Sequence, residues 1–240
     1  MCNLYSNTTT QEAIRQLFNV PAARDELGNA SAQPAIFPDG QSVIVTADDA
    51  GERSLRIARW GWKKVRFKNK EYETWLTNVR NLDGWPWEHV IKDQTQRCLV
   101  PASSFSEYHP TEKIPGAAGK PIKAASWFRL AGETERPPCA FAGVMRRWDW
   151  EKDGLRKKAD AELQASGAQV TAMAFLTTEP NSIVAPIHPK AMPVLLRTEE
   201  EFEIWLNGSA DEAKALQRPL PDDALELAFT GQKADNGQSA

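Results

Sequence analysis

The 240-residue chain has few of the residues that crosslink small domains or hold metals in them. Its three cysteines, Cys2, Cys98 and Cys139, are scattered without C-x-x-C spacing, and it contains only three histidines. An odd number of isolated cysteines argues against a disulfide framework, and so few thiol and imidazole groups argue against a structural zinc site. We therefore expect a fold that depends on its hydrophobic core, with no metal and no other cofactor.

Long apolar runs are also missing. No segment approaches the roughly 20 apolar residues that a membrane helix needs, and no basic region followed by an apolar run marks a signal peptide. The sequence also lacks an internal repeat, a Walker phosphate-binding loop and a dinucleotide-binding glycine fingerprint. We expect a soluble, cytoplasmic, monomeric protein without a membrane partner.

Apolar content is sufficient for a large core, since 41% of the residues are hydrophobic and the chain has 9 Trp and 9 Phe. Short apolar and β-branched segments separated by turns outnumber the helical patterns. The prediction is one α+β domain over residues 1–230, built on a curved and largely antiparallel sheet with peripheral helices. A disordered tail is expected over residues 231–240.

Helical signals are local and few. Thr9 or Thr10 is expected to open a helix near the N-terminus, and the capping box that starts at Thr198 predicts a second helix ending at Gly208. The charged segment 151–167 is interpreted as a peripheral insertion between strands.

Charge is unevenly distributed along a chain whose net charge is −3. Residues 53–70 contain eight basic residues and no acidic residue, whereas residues 199–226 contain nine acidic and two basic residues. Aromatic residues interrupt the basic stretch, which favours single-stranded nucleic acid because bases stack on exposed rings. A solvated surface is the alternative on charge alone. The predicted DNA contacts in this stretch are Trp60, Lys63, Lys64 and Arg66. Core packing is the alternative for Trp60, since a tryptophan beside glycine most often packs against backbone.

Cys2 follows the initiator methionine directly, so removal of Met1 would make it the N-terminus. The α-amine then has a reference pKa of about 7.7–8.0 and the thiol one of about 8.5, which leaves both partly reactive at neutral pH. Such an aminothiol condenses with an aldehyde to an imine, and the thiol then closes a thiazolidine ring. A buried small hydrophobe is the alternative interpretation of Cys2.

Three downstream segments give Cys2 a context. They are TNVRN (77–81), RCLVPASSFSEY (97–108) and FLTTEPNSIVAPIHPKAMPVLL (175–196). Together with Cys2 they resemble the SRAP family, the SOS-response-associated peptidases that crosslink themselves to abasic sites in single-stranded DNA. The resemblance extends from Met1 to about Leu206 and is most specific around His188.

The resemblance implies a barrel-like sheet and a function in the DNA damage response, namely covalent capture of abasic sites by the processed N-terminus. It also implies a peptidase activity that removes Met1, a Schiff-base lyase-type activity, and association with the nucleoid on DNA. Catalytic roles fall on Cys2 as double nucleophile, Asn78 as orienting amide, Glu107 as acid and base, and His188 as assistant in Schiff-base chemistry. Arg80, Thr177 and Lys190 are the implied phosphate contacts.

The neighbours of His188 also carry a prediction of their own. Pro186 and Pro189 flank the histidine, and proline restricts the backbone, so a rigid and extended segment is expected to position the imidazole.

Two positions depart from the family pattern. Asn3 and Leu4 replace the usual glycine and arginine after the cysteine, so one expected DNA contact is missing. Ala191 adds one residue to the loop after His188. Two other functions remain open: an N-terminal-nucleophile amidohydrolase that uses Cys2, and a non-catalytic single-stranded DNA-binding module.

Overall fold

The computed structural model describes residues 2–65, 74–116, 119–132, 138–155, 158 and 160–236. The strands of this part of the chain are β1 (Leu4–Asn7), β2 (Gln33–Ile36), β3 (Gln41–Ala47), β4 (Arg53–Trp60), β5 (Lys64–Val65), β6 (Thr74–Trp75), β7 (Asn78–Val79), β8 (Arg97–Ala102), β9 (Ser104–Pro115), β10 (Pro121–Leu130), β11 (Cys139–Arg147), β12 (Thr171–Thr178), β13 (Met192–Pro193), β14 (Leu195–Leu196) and β15 (Leu225–Gly231). The α-helices are α1 (Gln11–Leu17), α2 (Trp87–Val90), α3 (Trp150–Asp153), α4 (Asp160–Ala165), α5 (Glu199–Asn207) and α6 (Ala210–Ala215).

Five of these strands close into a ring in the order β12–β4–β3–β8–β11 and back to β12. Every pairing in the ring is antiparallel except β12–β4, which is parallel. The short strand β7 also pairs with β12 in parallel, where Asn78 lies opposite Phe175. A second sheet has the order β15–β10–β9–β1–β2 and is antiparallel throughout. The predicted α+β domain with a barrel-like, largely antiparallel sheet is therefore confirmed.

Two hydrophobic clusters hold these layers together. The first joins the ring to α1 and α5, with the Phe18 and Phe202 rings 4.9 Å apart. The second joins the ring to the five-stranded sheet, where Tyr5 makes edge contacts with Trp60 and Phe141. Successive side chains of a strand point to opposite faces, so β12 contributes to both clusters.

The local helix signals are accurate. Thr10 caps α1, and Thr198 and Glu201 form the reciprocal capping box of α5, which stops at Gly208 as predicted. These interactions connect residues three positions apart, so the sequence contains all their determinants.

Two segments differ from expectation. The segment 151–167 is not wholly peripheral, because Asp160 is fully buried and accepts hydrogen bonds from Arg59 at 2.8 and 2.9 Å. The expected tail 231–240 begins within β15, and Asp235 is buried and accepts hydrogen bonds from Ser6 and Ser104. Residues 231–236 are thus held against β1 and β9, while residues 237–240 lie outside the described residues.

No helix among the described residues is long and apolar enough to cross a membrane.

Candidate active site

Cys2 lies immediately before β1, in the second hydrophobic cluster, and is 1% exposed. Its thiol approaches the carbonyl oxygen of Leu4 at 3.3 Å and that of Ser106 at 3.8 Å. The register of β1 against β9 pairs Leu4 with Ser106, and the Cys2 thiol lies close enough to Glu107, the next residue of β9, to be affected by its charge. Burial, and then the Glu107 carboxylate, raise the pKa of the thiol far above its ordinary value. In the folded chain with Met1 attached, the thiol is therefore protonated at neutral pH, whereas the reference values apply to the processed N-terminus before burial acts on it.

Glu107 lies on β9 and is almost completely buried. Its Oε1 atom has no hydrogen-bond partner among the described residues, and its Oε2 atom is 3.8 Å from Nδ1 of His188. Burial raises the pKa of this carboxyl to about 7, although the positive charge of the chain's N-terminus acts in the opposite direction. A carboxyl that titrates near neutral pH can both donate and accept a proton there.

His188 presents a neutral imidazole to this carboxyl. Burial lowers the pKa of His188 to about 4, and the positive charges of the N-terminus and Lys190 act in the same direction. At pH 7 the contact between His188 and Glu107 is consequently not an ion pair, because the imidazole is uncharged. A neutral imidazole retains a nitrogen lone pair that can accept a proton.

The backbone that leads to His188 is folded into turns, so the predicted extended conformation is wrong. The amide of Ala185 donates to the carbonyl of Asn181, and the amide of His188 donates to that of Val184 at 2.8 Å. The Asn181 side chain caps this segment by accepting from the Val184 amide and donating to the Leu220 carbonyl. Proline is compatible with the first turn of such a structure, so Pro186 does not require an extended chain.

Asn78 is fixed by the parallel pairing of β7 with β12. Its Nδ2 donates to the Thr77 carbonyl at 3.0 Å, which also accepts from the Trp60 indole at 3.0 Å. The Oδ1 atom is buried without a hydrogen-bond partner in the part of the chain that the structure describes. A buried acceptor of this kind would be satisfied by a donor such as an ammonium or a sugar hydroxyl.

Three distant parts of the chain thus lie close together, and Asn78 is linked to them only through its strand partner. Glu107 and His188 are in direct contact, and the Cys2 thiol lies close enough to Glu107 to be affected by its charge. Phe175, the strand partner of Asn78, packs in the same hydrophobic cluster as Cys2. Within the described residues, no group of three or more histidines, cysteines and carboxylates could hold a metal ion.

The predicted DNA contacts divide into two groups. Arg80 and Lys190 are exposed, with Nη2 of Arg80 lying 3.7 Å from the Glu179 carboxylate. Lys63 is half-buried, and its ammonium lies 5.3 Å from the centre of the Trp85 ring. The predicted contacts of the Lys64 side chain and of Arg66 lie outside the described residues.

Trp60 and Thr177 do not fit the predicted contacts with DNA. Trp60 is completely buried and stacks on Phe175 at 5.1 Å, so no base can reach its ring. Thr177 is also buried, and its hydroxyl donates to the Val79 carbonyl. Both side chains belong to the core, because the tertiary fold covers the ends of β4 and β12.

Sequence reasoning singled out none of the three exposed aromatic residues of the described chain, which are Phe37, Trp85 and Tyr108. Tyr108 follows Glu107 directly, is 39% exposed, and has the Lys233 ammonium 4.9 Å from its ring centre. Trp85 is 73% exposed in the loop between β7 and α2. The sequence did indicate that Trp85 is exposed, because Gly84 and Pro86 flank it and such residues are typical of surface turns.

Comparison with known proteins places this geometry in a family. The family model described as SOS response associated peptidase (SRAP) matches residues 1–233. Abasic site processing protein YoaM of Bacillus subtilis is 25% identical over an alignment of 200 residues, and the match covers 78% of this chain and 72% of that relative.

Three solved structures share the fold. Their sequence identities to this chain are low, so the likeness shows the fold alone. A protein from Bordetella bronchiseptica has a TM-score of 0.64 at 18% identity, over 96% of this chain and 98% of its own. A phage-related protein from the same organism has a TM-score of 0.61 at 21% identity, over 94% and 92%. A protein from Bacteroides thetaiotaomicron has a TM-score of 0.63 at 21% identity, over 94% and 90%. Since the family model spans nearly the whole sequence, the chain belongs to the SOS response associated peptidase (SRAP) family.

Proposed function

We propose that this chain captures abasic sites in single-stranded DNA by a covalent bond to Cys2, after removal of Met1. The observation that carries the proposal is the Glu107 carboxyl, which is buried with one partnerless oxygen, 3.8 Å from neutral His188 and adjacent to Cys2. Similarity to a protein named for abasic site processing supports the substrate class.

The first step frees the α-amine of Cys2. A water molecule adds to the Met1 carbonyl carbon, the bond to the Cys2 nitrogen breaks, and a proton passes from the water to that nitrogen. Glu107 in its carboxylate form is the group that accepts and returns this proton. The family's description as a peptidase supports this step at the same site, and a host aminopeptidase would give the same product.

The second step forms the imine. Glu107 moves a proton from the anomeric hydroxyl to the ring oxygen of the abasic sugar, which opens to the C1′ aldehyde. The Cys2 amine adds to C1′, and the protonated Glu107 carboxyl donates to the hydroxyl that leaves as water. The resulting Glu107 carboxylate takes a proton back from the nitrogen, which leaves a neutral imine. The partnerless Oδ1 of Asn78 is available to accept a hydrogen bond from the amine and so orient it.

The third step closes the ring. The Cys2 sulfur adds to the imine carbon, the thiol proton ends on the nitrogen, and a neutral thiazolidine results without any oxidant or reductant. Because burial opposes ionisation of the thiol, a neighbouring base must take this proton, and neutral His188 and the Glu107 carboxylate are the candidates. Ring closure removes the imine that would otherwise permit strand cleavage of the lyase type.

Exposed cations beside the site supply the contacts to DNA in this proposal. Arg80 and Lys190 are exposed and are the proposed contacts with backbone phosphates, which arginine can bind with two parallel hydrogen bonds. Phosphate contacts release counterions, so binding should weaken with salt, with a log-log slope of roughly −0.7 for each neutralised phosphate on a single strand.

The intact mass of the purified protein, measured with and without an abasic oligonucleotide, tests the proposal. We expect loss of one methionine residue and then a heat-stable adduct equal to protein plus oligonucleotide minus water. Cys2→Ala should lose the heat-stable adduct but still give a Schiff base that borohydride traps, since its α-amine remains. Cys139→Ala is the matched control, because that thiol is buried elsewhere and burial raises its pKa to about 12.

The alternatives give different results in the same experiment. A non-catalytic DNA-binding module would bind the oligonucleotide without forming an adduct. An amidohydrolase that uses the Cys2 amine as its base would form none and would not respond to DNA. A heat-stable adduct from Cys2→Ala would exclude the thiazolidine.

A further inference from the structure

The side chain of Gln217 bridges two backbone carbonyls at the edge of the candidate site. Gln217 follows α6 by two residues and is half-buried. Its Nε2 atom donates to the Arg80 carbonyl at 2.8 Å and to the Thr177 carbonyl at 2.9 Å. A primary amide nitrogen carries two hydrogens, so each carbonyl takes one. No step of the proposed chemistry uses this glutamine, yet it joins the segment that carries Asn78 and Arg80 to the end of β12.

The two carbonyls lie close together because β7 and β12 run parallel. Their register pairs Leu176 with Val79, so Thr177 and Arg80 are the next residues in line. However, β7 ends at Val79, and the chain then turns at Asn81, whose side chain accepts a hydrogen bond within the turn. The glutamine amide supplies its donors at the point where this strand of only two residues stops.

The Thr177 carbonyl points towards the side of β12 on which β7 lies. The amide of Val194 donates to the Leu176 carbonyl at 3.0 Å, so that carbonyl faces the β13 side. Successive carbonyls of a strand alternate in direction, and the Thr177 carbonyl therefore faces the opposite edge. The Gln217 amide thus binds to the edge of β12 along which the Asn78 segment runs.

The backbone that carries Gln217 is itself anchored. Its amide donates to the Lys214 carbonyl at 3.0 Å, which extends the last turn of α6. Leu220, three residues further on, is 2% exposed, and its carbonyl accepts from Asn181, which caps the turn leading to His188. Because this segment is already ordered, its glutamine can restrain a neighbouring loop at little further cost in conformational entropy.

Arg80 needs such a restraint to bind phosphate well. Its side chain is 49% exposed, and the Glu179 carboxylate lies 3.7 Å from its Nη2 atom. An exposed ion pair of this length contributes little, so the 2.8 Å bond from Gln217 to the Arg80 carbonyl is the better-defined contact. A guanidinium that makes two parallel hydrogen bonds must meet the phosphate at a defined distance and angle, which depends on where its main chain is held.

We infer that Gln217 is a positioning residue, which holds the main chain of Arg80 where the guanidinium meets a phosphate of the bound DNA, without contacting the DNA itself. The inference rests on the proposed function for the role of Arg80. Gln217 should therefore affect DNA affinity only through Arg80.

A double-mutant cycle tests this dependence. Gln217→Met removes both donors and keeps the length of the side chain. Fluorescence anisotropy on an unmodified single strand should show affinity weakened about tenfold by Arg80→Ala and about three- to fivefold by Gln217→Met. Both should lower the log-log salt slope, by up to roughly 0.7 for one lost phosphate contact. In the Arg80→Ala background, Gln217→Met should have no further effect on affinity, since the group that it positions is gone.

Gln94→Met is the matched control. The Gln94 Nε2 atom also donates to two carbonyls, those of Asn207 and Gly208, and neither belongs to a segment that carries a site residue. Both variants lose a pair of similar hydrogen bonds, so the midpoints of chemical denaturation should fall by similar small amounts. Only Gln217→Met should lose DNA affinity, and only Gln217→Met should show faster hydrogen exchange in the peptide that contains Arg80.

Three results would overturn the positioning role. One is a loss of affinity from Gln217→Met that persists in the Arg80→Ala background, because Gln217 would then act on the DNA without Arg80. Another is wild-type affinity, or unchanged hydrogen exchange around Arg80, in Gln217→Met. The third is wild-type affinity of Arg80→Ala, which would remove the phosphate contact that Gln217 is inferred to position.

The proposed function fails by a different measurement. Cys2 and Glu107 are unchanged in all these variants, and the affinity measurements use strands without an abasic site. Absence of adduct between the wild-type protein and an abasic oligonucleotide would overturn the proposed function, while anisotropy on unmodified strands would still report on Gln217 and Arg80.

Discussion

The candidate site and the Arg59–Asp160 pair are both buried and polar, yet they are built in opposite ways. Two guanidinium nitrogens of Arg59 reach the two oxygens of Asp160 at 2.9 and 2.8 Å. In the candidate site, by contrast, Glu107 and Asn78 each keep one buried oxygen without a partner among the described residues. Satisfied buried groups hold a fold together, whereas a buried group without a partner destabilises it, and beside a reactive residue such a group is available to a ligand.

Removing the acid–base group without removing its shape should give the largest effect. Glu107→Gln should slow adduct formation by about 10²–10⁴-fold, since a positioned general acid and base contributes that much to a rate. His188→Ala should slow the reaction as well, because it removes the neutral imidazole beside Glu107. A time course on an abasic oligonucleotide measures both.

Affinity for an unmodified strand should remain near the wild-type value in both variants, because they keep the exposed cations. Glu112→Gln is the matched control: it lies on the same strand, β9, and its side chain is 59% exposed. Wild-type rates from both Glu107→Gln and His188→Ala would remove these residues from the mechanism.

Breaking the satisfied pair should act on stability instead. Asp160→Ala leaves the Arg59 charge buried without its main partner, which should lower the free energy of unfolding by about 3–5 kcal/mol. Chemical denaturation measures this loss. Glu26→Ala removes the partner of Arg56 from an exposed pair and should cost less than about 1 kcal/mol. If Asp160→Ala lowered the free energy of unfolding no more than Glu26→Ala does, the Arg59–Asp160 pair would not be the stabilising group that the comparison with the candidate site requires.

The pH dependence of stability sharpens the comparison further. Burial raises the pKa of Glu107 to about 7 from an ordinary value of 4.5, so the folded state binds its proton more tightly than the unfolded state does. The stability that this group contributes is complete below pH 4.5 and is lost as the pH rises to about 7. Glutamine does not titrate, so Glu107→Gln should gain on wild type over this interval, by on the order of 3 kcal/mol above pH 7.

Denaturant melts of both proteins at pH 5 and pH 8 would measure that gain. A constant difference between the two proteins across this range would show that Glu107 ionises as an exposed carboxyl does. The higher free energy of unfolding of Glu107→Gln at pH 8 would equal the stability that the wild-type chain loses by burying an ionisable carboxyl.

Sequence alone predicted best where the determinants are close together in the chain. The capping box of α5 and the cap of α1 involve residues three apart, and the alternation of β12 follows from its own side chains. The site residues Cys2, Asn78, Glu107 and His188 came from family resemblance, because nothing within any one segment specifies that β1 pairs with β9 or that the loop before β13 reaches Glu107.

The failures share one physical cause, which is that burial is decided by other parts of the chain. Trp60 stands in a basic stretch typical of a surface, but Tyr5 and Phe175 cover its ring. Asp160 stands in a charged segment, but Arg59 draws it into the interior. Trp85 differs in the opposite direction. A tryptophan is expected in the core because its side chain is largely apolar, yet this one is exposed.

The smallest expected effect concerns the exposed rim of the site, where Glu179 lies 3.7 Å from Arg80. Both side chains are largely in solvent, and Thr178 donates a hydrogen bond to the same carboxylate. If Arg80 binds a DNA phosphate, the carboxylate competes for its guanidinium. Glu179→Gln should therefore tighten binding of single-stranded DNA by about two- to fivefold at low salt, the size expected of an exposed ion pair.

Titrations at two salt concentrations test this competition, because screening over a Debye length of about 10 Å at 0.1 M should reduce the gain. Glu200→Gln makes the same change of charge at an exposed position on α5 and should leave affinity unchanged. In an Arg80→Ala background the gain from Glu179→Gln should disappear, since the residue that it frees is gone. A gain that persists without Arg80 would mean that Glu179 repels the DNA directly, and Arg80 would then lose its assigned role as a phosphate contact.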